Sequence, residues 1–310
     1  MVLCTLLWSS AGLVMRATTV ANGWEATFWR SSFLAVAIAA VMLARHGAGA
    51  PRRLAALGLP GLVSALAWAT MFTCFMLALA RTTVANTLFI MGALPFFSAL
   101  AGWLVLGERV APRTLAFMLV AAAGIGIMFQ EALAEGNLAG SLIALAIPVA
   151  AAANSVAVKL GRGKVDFVPA ILAGGAISAL VAAPFAAPLG AAGRDLALFG
   201  LLAVFQLAIP GILLVQFVLP RLSVAEVGLL SLLEMIFGSL WVWLAYGEDP
   251  GAAVLAGGAL VLGALVANEA LALAAERRLM PAGGSAPGPA ADSAGTPPGA
   301  RSSGSARGPS

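Results

Sequence analysis

A stretch beginning at Arg81 is repeated from Arg221 onward, at a constant offset of 140 residues and without a gap. Val84 falls on Val224 and Ala85 on Ala225, and further along Phe97, Leu100, Trp103 and Leu104 fall on Phe237, Leu240, Trp243 and Leu244. The pair Gly107-Glu108 meets Gly247-Glu248, and Leu115-Ala116 meets Leu255-Ala256. Such a chain folds as two related halves, and what kind of halves depends on the solvent they face.

That solvent is lipid. Of the 310 residues, 61% are hydrophobic and 10% charged, with a mean hydropathy of +1.01, whereas a soluble domain carries about 25% charged residues. The relevant unit is therefore a span of about 20 apolar residues. In an apolar chain, a repeat points to the plan of many secondary transporters, two related halves with a site between them near the bilayer midplane. The pI near 9.8 comes with no basic face or aromatic-basic module, so nucleic acid is not a partner. Cys4 and Cys74 lie in apolar runs without metal-type spacing and read as packing residues.

Ten apolar segments can be drawn, at roughly 2–20, 25–44, 55–79, 84–106, 112–130, 138–159, 167–189, 196–219, 223–246 and 251–273. Breakers separate them, among them Asn22-Gly23, Gly136-Asn137 and Gly190 to Gly193. The first segment lacks a basic leader and a cleavage site, so it reads as a helix and not a signal peptide. The fold class is thus an all-α membrane protein of ten transmembrane helices. Residues 1–136 form the first five-helix repeat and 137–273 the second. The Pro-, Gly- and Ser-rich stretch 274–310 reads as a disordered cytoplasmic tail.

Lys and Arg fall unevenly on alternate sides. One side holds eleven: Arg45, Arg52, Arg53, Arg109, Arg113, Lys159, Arg162, Lys164, Arg221, Arg277 and Arg278; the other holds Arg16, Arg30, Arg81 and Arg194. The richer side is expected to be cytoplasmic, which places both termini inside and Gly136 and Gly193 outside. Five spans separate Arg81 from Arg221. That odd number sets matching residues on opposite sides, so the second repeat is inverted, the relation that alternating access uses.

Four local patterns resemble a known family. Trp8-Ser9-Ser10, Arg30 within Phe28-Trp29-Arg30-Ser31, the stretch from Ala93-Leu94-Pro95 to Gly107-Glu108-Arg109, and Leu233-Glu234 followed by Trp241 and Gly247-Glu248 resemble the EamA-like branch of the drug/metabolite transporter superfamily. The resemblance covers nearly all of 1–273 and implies a multi-pass exporter in a bacterial inner membrane. In one departure, the proline that often follows the ninth-span glutamate is Met235 here, which puts a kink at that depth in doubt.

Glu234 is the sharpest candidate among the polar residues. A charged carboxylate half-way along a span costs several kcal/mol unless protonated or paired. It would carry a proton or receive an amine, or else hydrogen-bond a neighbouring helix. At helical spacing Leu230, Glu234, Gly238 and Trp241 share a face, as a pore lining would. Arg30, one turn inside the second span, would hold a substrate carboxylate, snorkel to the headgroups, or tie two helices; the structural readings are favoured. Arg81 and Arg221 read as anchors, and the Gly-Glu pairs as loop-shaping features, the Gly at a helix C′ position and the acid near the next helix start. Asn86, Asn154, Gln206 and Gln216 serve as interhelical glue or line a cavity. Trp68 and Trp241 would stack on a substrate or fill helix contacts. Pro95, Pro148 and Pro210 are expected to break spans four, six and eight. The substrate-binding set is therefore Trp8, Ser9, Trp68, Asn86, Pro95, Asn154, Gln206, Glu234 and Trp241, with Glu234 and Arg30 as candidates for proton or substrate coupling. The cavity they line is expected from spans one, three, four, six, eight and nine.

Other function classes fare worse. His46, the single histidine, lies in a basic loop, and no paired-acid or His-Glu pattern sits at depth for an intramembrane enzyme. No Gly-rich phosphate loop supports a nucleotide-driven pump. The remaining reading is a secondary transporter for small amphipathic metabolites, amino acids or related compounds, needing no cofactor or metal; a channel or lipid scramblase is the alternative.

Overall fold

The computed structural model describes residues 1–107, 112–134, 138–161, 163–218 and 224–279. Glu108, Arg109, Glu135, Gly136, Arg162, Arg221 and the tail from 280 lie outside them, as do the side chains of Pro95, Glu131, Gln216 and Glu226. Every regular element in the described residues is helical. In order they are α1 (Val2–Ala17), α2 (Gly23–His46), α3 (Ala50–Ala55), α4 (Gly58–Leu79), α5 (Val84–Met91), α6 (Leu94–Leu106), α7 (Pro112–Ala134), α8 (Leu138–Gly161), α9 (Val168–Ala182), α10 (Gly193–Leu201), α11 (Ile209–Leu213), α12 (Val224–Tyr246) and α13 (Ala252–Leu279).

Eight helical stretches in the described residues are long and apolar enough to cross a bilayer: Gly23–Ala55, Gly58–Leu79, Val84–Leu106, Pro112–Gln130, Leu138–Gly161, Val168–Phe185, Gly193–Leu213 and Ala252–Ala274. Two shorter apolar stretches, Val2–Ala17 and Leu233–Tyr246, join them. The 16 residues of α1 rise about 24 Å, less than a hydrocarbon core of about 30 Å.

Local chemistry sets the helix ends. Asn22 caps α2 by accepting from the Trp24 N–H at 3.0 Å, and Thr83 caps α5 by accepting from Asn86 N–H at 3.1 Å. Gly107 and Gly247 end α6 and α12 with φ of +67° and +65°, a left-handed backbone that glycine adopts at no steric cost.

The prolines behave unequally. Span four is broken, as expected at Pro95: α5 stops at Met91 and α6 restarts at Leu94. Pro148 does not break its span, because α8 runs through it from Leu138 to Gly161, as membrane helices tolerate when neighbours satisfy the freed carbonyl. Around Pro210 the helix widens instead. Leu202–Ala208 and Leu214–Val218 are π-helical and flank α11. A proline offers no N–H and displaces the carbonyl one turn back, so the preceding turn rebonds in a wider register. Met235 leaves α12 continuous, so the helix matching the broken α5–α6 pair runs unbroken. Met235 itself packs on the turn opposite: a Cβ on Gly92 would stand 2.6 Å from its sulfur.

The bundle is built on α4, which packs along α8 and α9, with α2 along α9, α6 along α8 and α1 along α12. The largest apolar cluster draws Met15, Phe75, Met76, Val84, Leu88, Phe199, Leu202, Met235 and Val242 from across the sequence. Two pairs matched by the 140-residue offset are equally exposed. Leu104 and Leu244 are each 67% exposed, and Trp103 and Trp243 each 54%.

Candidate functional site

Arg30 does not snorkel. It is 1% exposed, and its guanidinium lies between α4 and the π-helical segment before Pro210. Nη1 donates to Gln206 Oε1 at 3.1 Å, Nη2 donates to the Phe72 carbonyl at 3.0 Å, and the group lies 5.5 Å from the centroid of the Phe75 ring. Nε has no acceptor among the described residues. Gln206 lies buried in the π-helical segment Leu202–Ala208 and faces α2 through this bond. One residue along, Ser31 Oγ shares a 3.0 Å hydrogen bond with Ser178 Oγ, which shares another of 2.9 Å with Thr73 Oγ1. Trp68 stacks on Phe72 with centroids 5.2 Å apart. Arg30, Gln206 and Trp68 thus belong to one neighbourhood, joined by Phe72.

A second neighbourhood lies where α12 meets α1 and α5. Glu234 is half-buried and holds no hydrogen bond or ion pair with any described residue. One turn on, Gly238 is buried under α5: a Cβ there would lie 2.5 Å from Leu88 Cδ1 and 3.5 Å from the Ser9 carbonyl. The expected pore-facing stripe is therefore interrupted. Gly238 is sealed in helix packing, and Trp241 is 37% exposed and stacked on Phe237 at 6.0 Å. Ser9 is buried and donates to the Leu6 carbonyl of its own helix at 2.8 Å, with Trp8 beside it half-buried.

Asn86 and Asn154 sit apart. Asn86 is 3% exposed and donates to Thr82 Oγ1 at 2.9 Å and Ser141 Oγ at 2.8 Å, which ties the start of α5 to α8. Asn154 accepts from Ser64 Oγ at 2.6 Å, fastening α8 to α4. Pro95 opens α6, its side chain outside the described residues. Two apolar grooves flank α4 and α8, one of about 470 Å³ between Leu59, Phe97, Leu104 and Val156 and one of about 530 Å³ between Val63, Thr70 and Leu145. Neither is lined by any of the predicted site residues.

Glu248 does more than shape its own loop: its Oε2 pairs with Arg16 Nε at 2.7 Å and its Oε1 accepts the Val84 N–H at 2.7 Å. Arg16 also donates to the Leu79 and Thr82 carbonyls at 3.1 and 3.4 Å. One carboxylate therefore ties the end of α1, the α4–α5 turn and the α12–α13 connection. Nearby, Glu25 accepts from Gly190 and Ala191 N–H at 2.7 and 2.8 Å, and Asp195 accepts from the Thr19 hydroxyl and N–H. At the α3 side, Arg53 lies 3.6 Å from Asp166. Phe72, Phe75, Ser178 and Arg16 carry no sequence signal beyond their type, and a fold is needed to find them.

The comparisons agree with this architecture. Residues 1–130 match the model of the EamA-like transporter family. The pseudopaline exporter CntI, in two strains of Pseudomonas aeruginosa, is 26% identical over 262 residues, 82% of this chain and 89% of the relative. A crystal structure superposes with a TM-score of 0.61 at 22% identity, covering 88% of this chain and 96% of its own; at that identity the likeness is one of fold. The chain thus resembles the EamA-like transporter family over its first 130 residues and a curated exporter over most of its length, a likeness to multi-pass membrane transporters and not to enzymes.

Proposed function

We propose that the protein is a secondary transporter that exports a small amphipathic metabolite, an amino acid or related compound, by alternating access. In this reading ten spans form two five-helix repeats, 1–136 and 137–273, inverted about an axis in the membrane plane, with both termini cytoplasmic. One observation carries it: within the ungapped 140-residue repeat, Trp103 and Trp243, and Leu104 and Leu244, are equally exposed in the two halves. Equal exposure is what a repeat presenting the same face to lipid in each half produces. The likeness to a pseudopaline exporter supports a small-molecule cargo and outward movement.

In this mechanism the two halves rock around a site between them. The proposed substrate set is Trp8, Ser9, Trp68, Asn86, Pro95, Asn154, Gln206, Glu234 and Trp241. Glu234, a half-buried carboxylate with no described partner, is the proposed proton or amine site. Uptake by proteoliposomes of a radiolabelled metabolite panel tests the reading. Saturable flux with counterflow is expected; conductance steps would make it a channel, and no flux from well-folded protein would overturn it.

A further inference from the structure

The two apolar grooves share Val63, Val149 and Ala153, so they form one channel along α4 and α8. On α8 the lining runs from Leu142 to Leu160, about 27 Å of helix against a hydrocarbon thickness of about 30 Å. The half of about 470 Å³ takes in Val149 to Leu160, about 16 Å, which is the depth of one leaflet. Ala152 and Ala157 are buried at its floor, while Leu59, Leu104 and Leu160 rise at its rims, 74%, 67% and 55% exposed. Small side chains between tall ones make a slot and not a flat face. Every side chain described along this half is apolar. In the other half Thr70 turns its hydroxyl back to the Leu66 carbonyl at 3.0 Å. An amphipathic cargo finds no polar contact there. An acyl chain needs none, and it restores the dispersion contacts that an empty slot would forfeit.

Charge marks one end of the slot. Arg52 and Arg53 precede Leu59, and Lys159 and Lys164 stand at the end of α8, all four exposed. Asp166, 3.6 Å from Arg53, offsets one of these charges. Lys159 adjoins Leu160 and follows Val156 by one turn, and both of those neighbours line the slot. A cation at the rim of an acyl-sized groove is complementary to an anionic headgroup, whose phosphate lies at the depth where a span ends. We propose that this groove binds one anionic phospholipid from the leaflet on the Lys- and Arg-rich face, with an acyl chain between α4, α6 and α8 and the phosphate on Lys159.

The test places the full-length chain in nanodiscs of equal parts phosphatidylglycerol and phosphatidylethanolamine with the same acyl chains. Native mass spectrometry then reads which lipid stays bound. The wild type is expected to retain one phosphatidylglycerol, about fivefold over phosphatidylethanolamine, the ratio that about 1 kcal/mol for one cation at the membrane surface gives. Lys159→Gln is expected to keep a lipid but bring the two kinds to parity. Ala153→Phe fills the part shared by the two grooves, and Ala101→Phe fills the slot from α6; each is expected to lose the bound lipid. Leu119→Phe, on the exposed face of α7, is the control and is expected to keep it. Equal retention of both lipids by the wild type, an unchanged preference in Lys159→Gln, or full retention in both groove variants would overturn the proposal. So would a dimer that the groove variants break, since a second copy would then cover this face. Should the groove variants fail to fold, the wild-type ratio and its change in Lys159→Gln decide.

Discussion

Glu248 joins partners 232 and 164 residues away, so its role is written in the fold and not in its neighbours along the chain. Removing the carboxylate leaves the Val84 N–H without an acceptor, a loss of about 1–3 kcal/mol for a buried group. The ion pair itself contributes toward the low end of the range for partly exposed pairs, because Arg16 and Glu248 are 30% and 19% exposed. Glu248→Ala is therefore expected to lower the melting temperature in detergent more than Glu248→Gln, which keeps an acceptor for Val84; equal melting of the two variants would make the N–H bond dispensable. Glu234 calls for a different measurement. With Glu234 as the proton carrier, Glu234→Gln flattens the pH profile of transport while counterflow, which moves no net proton, survives. An unchanged profile would leave Glu234 structural. The identity of such residues was legible in the sequence, since charges at bilayer depth stand out. What held them was not: Arg30 is held by Phe72 and Phe75, which carry no mark of their own, and by Gln206, whose polarity stood out but whose partner did not.

Spans are easier to read than the way they bend. Apolar length foretold α2, α4, α7, α8 and α12 within a few residues, since hydrocarbon thickness fixes length. Three prolines then gave three outcomes, a break before Pro95, a continuous α8 through Pro148 and π-turns around Pro210. A proline removes the same N–H each time; how the freed carbonyl is satisfied depends on the neighbouring helices. Contact between elements follows side-chain size. Gly238 lets α12 approach α5 and α1, and a Cβ there would stand 2.5 Å from Leu88 Cδ1. Gly238→Val is expected to cost about 1–3 kcal/mol by overpacking. Gly263, in α13, has open space around it, and Gly263→Ala is expected to be neutral or slightly stabilising through helix propensity. Thermal melts of the two variants side by side check the contrast, and a destabilised Gly263→Ala with an unaffected Gly238→Val would invert the packing account.

For the whole molecule, orientation follows from two independent ledgers. The contacts tie the connections after α1, α4, α9 and α12 to one another through Arg16, Glu248, Glu25 and Asp195, while Arg53 and Asp166 link the connections after α2 and α8. Lys and Arg gather on the second of these groups, and positive charge stays on the cytoplasmic face. Together they predict opposite accessibility for two exposed positions, Ala48 between α2 and α3 and Gly193 at the start of α10. In a background with Cys4 and Cys74 replaced by serine, Gly193→Cys is expected to react with a membrane-impermeant maleimide in intact cells, and Ala48→Cys only after the membrane is opened. Labelling of both from the same side would break the alternation of spans between them. Reversed labelling would keep the fold but turn it over, and the charge asymmetry would then need another cause. The expected pattern places the Arg16–Glu248 tie on the outer face. An inverted repeat would put Glu108, the counterpart of Glu248, on the inner one, so that each half brings one glutamate to the end that its partner leaves open.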